Sequence, residues 1–165
     1  MRLVHYSAKP PIIKPTTYRH RRGHFVYKPS GLWVSDDDCN DNWPAWCRAN
    51  GFLIENLAHA CLITLRSGAN ILHLSSANDI DSFTRDYCWQ PYKELSLFSI
   101  AWDRVYIEYD GIVISPYIWS RRLGGGADWY YGWDCAGGCI WNIGTIEANP
   151  EGPDRQPEPE KRDDP

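Results

Sequence analysis

Apolar positions come in short runs separated by Gly, Pro, Asp and Ser, and two spacings recur among them. Runs that alternate or stay apolar for a few residues predict strands at 2–7 (RLVHYS), 30–35 (SGLWVS), 60–66 (ACLITLR), 70–74 (NILHL) and 111–115 (GIVIS), with a last one around 139–143. A Ser-Gly turn at Ser67-Gly68 separates two of these, and Asp110-Gly111 opens another. Helical spacing appears where Trp43, Trp46 and Cys47 share a face; Asn42 is placed to cap that helix, Pro44 lies in its first turn and Gly51 stops it. A second helix opens at Ser76, three residues before Asp79, and turns Ile80 and Phe83 inward. The segment 98–110 (FSIAWDRVYIEYD) predicts one or two helical turns ahead of the GIVIS strand. Residues 8 to about 30 are rich in Pro, Lys and Arg and predict a long irregular loop.

This order is not a regular strand–helix alternation, so it predicts an α+β domain with short strands and two or three short helices. From residue 147 the chain is charged, Pro-rich and nearly free of large apolar residues. Such a segment cannot offset its ordering entropy, so one domain over 1–146 and a disordered tail over 147–165 are expected.

Composition sharpens the reading in three places. Nine Trp and ten Tyr in 165 residues exceed what folding alone requires and serve either an aromatic core or a wall for flat ligands. A net charge of −4 disfavours a nucleic-acid binder that works by general phosphate attraction. One local exception is 18–28 (YRHRRGHFVYK), where Arg19, Arg21, Arg22 and Lys28 form either a solvated basic loop or a phosphate contact. No run is long enough to span a membrane and no apolar secretory segment follows Met1, so a cytoplasmic protein with six reduced cysteines is expected.

Motifs with local signatures are scarce. Rossmann, P-loop and nucleophile-elbow patterns are missing in their required contexts. Cys135 and Cys139, with Cys39 and Cys47, offer four sulfurs to a zinc ion, but the second spacing is loose, and packing of small thiols is favoured. Glu55, Asp103, Glu108, Asp110 and Asp134 stand among apolar residues and are the candidates for acid–base work, with a turn role favoured for Asp110. The triple glycine at 124–126 reads as a flexible loop or a lid.

Taken in order, "LVHYS", "SGLWVS", "YDGIVIS" and a late strand resemble the ADP-ribosyltransferase superfamily, in its H-Y-E branch. The resemblance covers roughly residues 3–142 and is also seen among toxin-like and phage-encoded small proteins. It implies a split mixed or antiparallel β core. It also implies NAD as substrate, with His5 and Tyr6 at the ribose, Trp33 against the nicotinamide where the family usually has Tyr, and Ser35 near the ligand. Arg21 and Arg22 would meet the pyrophosphate. The family places a Glu at the start of a late strand; here the only carboxylate in that region is Asp134, so Asp134 serves, Glu108 enters from elsewhere, or the acid is lost. Two functions follow as expectations. One is an NAD-dependent glycosyltransferase that moves ADP-ribose to a protein or nucleic-acid acceptor, or hydrolyses NAD. The other is a non-catalytic interaction or inhibitor protein on the same scaffold.

Overall fold

A computed structural model describes residues 1–19, 26–92, 97–123 and 127–149. The described strands are β1 (Leu3–Ser7), β2 (Leu32–Asp36), β3 (His59–Leu65), β4 (Ile71–Leu74), β5 (Cys88–Tyr92), β6 (Leu97–Ile100), β7 (Gly111–Ile114), β8 (Gly137–Ile140) and β9 (Ile146–Asn149). The described α-helices are α1 (Trp43–Asn50), α2 (Ala77–Tyr87) and α3 (Trp102–Glu108). Seven strands form one mixed sheet in the order β4-β7-β8-β2-β1-β3-β9, while β5 and β6 pair as a separate hairpin. Among the described strands, only the β4–β7 pair is parallel and the other ladders are antiparallel. The α+β expectation therefore holds.

Local chemistry explains the helix ends. The Asn42 side chain accepts the Ala45 N–H at 2.9 Å, and Gly51 at φ +60° closes α1 in the left-handed region. Ser76 accepts the Asp79 N–H at 3.2 Å, and the Asp79 carboxylate takes the Ser75 N–H in return at 2.9 Å. Those reciprocal bonds hold the Asp79 carboxyl below the usual carboxylate range.

The sheet separates two cores. Along β7, Ile112 and Ile114 turn toward α2 and α3, where they meet Ile80, Phe83, Trp102 and Trp129; Val113 turns to the opposite face, with Leu3, Val34, Ile63 and Ile140. Trp102, Trp129, Trp133 and Trp141 are each at most 2% exposed, so four of the nine Trp build the core. Trp129 meets Trp102 and Trp133 edge-on, with planes at 82° and 83°, while Trp102 and Trp133 stack at 25°. Among the described residues, no helix is long and apolar enough to cross a membrane.

Three expectations are corrected. Leu97–Ile100 is strand β6, paired with β5, so the helical segment begins only at Trp102. The late strand runs over Gly137–Ile140, two residues earlier than the apolar run suggests. A Cβ on Gly138 would stand against the Ile112 carbonyl oxygen and 2.7 Å from Val113 Cγ2, so the glycines are what lets β8 fit between β2 and β7. Finally, β9 pairs Glu147, Ala148 and Asn149 with β3, which carries ordered chain three residues past the expected boundary at 146. The ladder's backbone hydrogen bonds order a stretch that lacks a long apolar run. The remainder of the expected tail, and the triple glycine, lie outside the described residues.

Candidate active site

β2, the central strand of the sheet, lies between β8 and β1, and these three strands border a cleft of about 300 Å³. His5 and Tyr6 of β1, Trp33 and Ser35 of β2, and Asp134 of the loop that leads into β8 line it. Five of the expected site residues, drawn from three distant segments, thus line one cleft. Arg21 and Arg22 lie outside the described residues. Glu108 is elsewhere: it sits at the end of α3, where it accepts the Tyr87 hydroxyl proton at 2.5 Å, and it does not line the cleft.

Each group is held by identifiable partners. His5 Nδ1 lies 2.8 Å from the Trp33 carbonyl oxygen. Tyr6 donates its hydroxyl to Asp37 Oδ2 at 2.5 Å. Burial, and then that bond, push the Tyr6 phenol well above its ordinary value, so it keeps its proton. Ser35, 3% exposed, accepts the Trp43 N–H at 3.1 Å and thereby ties the start of α1 to the cleft. Trp33 leans on Trp133, with ring centroids 4.9 Å apart and planes at 57°.

Asp134 is the electrostatic centre. Its Oδ2 lies 3.4 Å from Lys28 Nζ and its Oδ1 lies 3.4 Å from Arg122 Nη2, so one cation meets each oxygen. The Lys28 ammonium also lies 5.3 Å from the Trp33 ring centroid, within cation–π range. A cation therefore already occupies the space between an aromatic wall and a carboxylate. The arrangement can hold a flat, positively charged ring against Trp33 and place a carboxylate beside it.

In sequence Lys28 belongs to the basic segment 18–28, yet it lines the cleft, as do Trp133, Trp43, Asn56 and Gly138, none of them a candidate site residue from the sequence. Two signals were available for Gly138 and Trp133: the Gly-Gly pair and the aromatic density of 129–142. Lys28 carries none, because its partner Asp134 is 106 residues away.

Cys135 also borders the cleft, and burial, followed by the charge of Asp134, pushes its thiol up to about 12. It is therefore a protonated thiol at neutral pH rather than a nucleophile. All six cysteines are free, and among the described residues no three His, Cys, Asp or Glu side chains come together to hold a metal ion. Comparison of the chain with family models, with curated proteins and with solved structures gives no match.

Proposed function

We propose that the cleft binds NAD and that the protein transfers ADP-ribose to a macromolecular acceptor or hydrolyses NAD. One observation carries this reading: His5, Trp33 and Asp134, from three separate segments, border the same cleft, with a cation already lodged between Trp33 and Asp134. The nicotinamide ring of NAD is a flat cation. In this reading it takes the place of the Lys28 ammonium over Trp33, and Lys28 turns to the pyrophosphate. His5 bonds a ribose hydroxyl.

The chemistry follows from the carboxylate. As the bond from ribose C1′ to the nicotinamide nitrogen breaks, its electron pair goes to that nitrogen and cancels the ring's charge, while positive charge develops on the ribose. Asp134 stabilises that charge electrostatically. Water or an acceptor group then adds at C1′ and gives up its proton to Asp134 and on to solvent. Arg122, on the other carboxylate oxygen, keeps Asp134 aimed for the first step. Incubation with NAD labelled in the nicotinamide tests this: release of labelled nicotinamide by the wild type is expected, and its absence, together with no NAD binding by calorimetry, would overturn the reading.

A non-catalytic interaction protein is the second reading, supported by aromatic rings left at the surface: Trp119 is 58% exposed and Tyr131 59%. It requires that Asp134→Ala leave biological activity intact while Trp119→Ala abolishes it.

A further inference from the structure

Asp134 also borders a second concavity, a groove of about 420 Å³ that Lys28 does not line. Arg122, which meets the other carboxylate oxygen, lines this groove but not the first cleft. Two indoles, Trp46 from α1 and Trp119, line the groove together with Asp41.

Trp119 is unusual for an exposed indole because its orientation is fixed. Its N–H donates to Asp41 Oδ2 at 2.9 Å, Tyr117 packs edge-on at 4.8 Å, and the Arg122 guanidinium carbon lies 5.8 Å from its centroid. Trp46 is likewise pinned, stacked on Trp43 at 5.3 Å with planes 12° apart. Rings held rigidly at a surface cost little further entropy when a ligand stacks on them.

The charges select the ligand. Asp134 is already met by two cations, and Arg122 is further enclosed by the rings of Tyr117, Trp119 and Tyr131 at 5.7–5.9 Å. No cation pairs with Asp41 among the described residues; its side chain is held by an indole N–H instead. A carboxylate beside two flat rings suits a planar cation that can stack and donate several N–H groups at once, which is the guanidinium rather than the compact ammonium. The turn after β2 that leads to Asp41 also holds Asp37 and Asp38, which repels a phosphodiester chain.

The geometry points to this groove as a binding site for an arginine side chain of a partner protein, with the guanidinium between Trp46 and Trp119 and paired to Asp41. It stands on the groove's own residues and not on the reading of the neighbouring cleft.

The test is calorimetric titration, without NAD, of a short peptide with one central arginine, against the same peptide carrying citrulline, its uncharged isostere. Saturable binding of the arginine peptide is expected, with the citrulline peptide weaker by about tenfold or more. Asp41→Asn keeps an acceptor for the Trp119 N–H, and so the fold, yet is expected to weaken the arginine peptide by a similar factor. Trp33→Ala, in the other cleft, is expected to leave it unchanged. No binding by the wild type, equal binding of the two peptides, an unaffected Asp41→Asn variant, or displacement of the peptide by an oligothymidylate would each overturn the assignment.

Discussion

His5 Nδ1 and the Trp33 carbonyl oxygen lie 2.8 Å apart, so a side chain links β1 to β2 at the level where the cleft opens. A carbonyl oxygen can only accept, which puts the proton on Nδ1 and, in the neutral ring, leaves Nε2 as an acceptor. His5→Asn preserves a donor close to the Nδ1 position but removes Nε2. The expected outcome is a melting temperature close to wild type with NAD affinity lowered by about tenfold, as for loss of one hydrogen bond in a partly buried site. Thermal denaturation and calorimetry on the same sample check both halves.

Asp134→Asn separates binding from chemistry. Asn fills the same volume and keeps one acceptor, but it carries no charge to set against a developing oxocarbenium ion. NAD binding within a few-fold of wild type is expected, with nicotinamide release reduced by about a hundredfold or more, as when one electrostatic stabiliser is removed. Single-turnover kinetics with saturating NAD distinguishes this from a binding defect.

Gly138→Ala tests the fit of β8 between its neighbours. The added methyl would meet the Ile112 carbonyl, which is backbone and cannot move aside, and Val113 Cγ2 at 2.7 Å. Destabilisation of about 2–3 kcal/mol is expected from such overpacking. Urea denaturation reads it directly, and a loss below about 0.5 kcal/mol, the range of a neutral surface change, would contradict the tight approach.

Alkaline pH should weaken the fold through its buried acids. Burial raises Cys135 from 9.0 to about 12, and Tyr117 from 10.0 to about 12. For both groups the unfolded chain ionises first, so it binds fewer protons than the folded chain between those values. Their stabilising contribution is therefore complete below pH 9 and is lost progressively as the pH rises from there toward 12. Urea midpoints at pH 7.5, 9.5 and 10.5 are expected to fall in that order, about as the linkage relation requires, and Cys135→Ala should flatten the early part of the decline.

How much of this was legible in the chain differs from one residue to the next. Both long helices announce themselves through local caps, Asn42 with Gly51 and Ser76 with Asp79, because capping is decided within one turn. The hairpin of β5 and β6 gives no such sign: Cys88 leaves α2 directly into extended backbone, and the register shifts between Trp89 and Tyr92. Gly137 and Gly138 read in sequence as a place of close backbone approach just ahead of the late strand; in the fold they are the first residues of β8, pressed between β2 and β7. The same limit governs the cleft. His5, Trp33 and Asp134 could be named from ordered short segments, whereas Lys28, Trp133 and the division of the Asp134 oxygens between two cations depend on contacts across the whole chain.

A crystal structure with a non-cleavable NAD analogue shows directly what the cleft holds. The nicotinamide ring is expected against Trp33 in place of the Lys28 ammonium, a ribose hydroxyl at His5, and Asp134 within hydrogen-bonding or close electrostatic reach of the ribose at C1′. An empty cleft at saturating analogue, or an analogue bound with its nicotinamide away from Trp33 and Asp134, would contradict the proposed function.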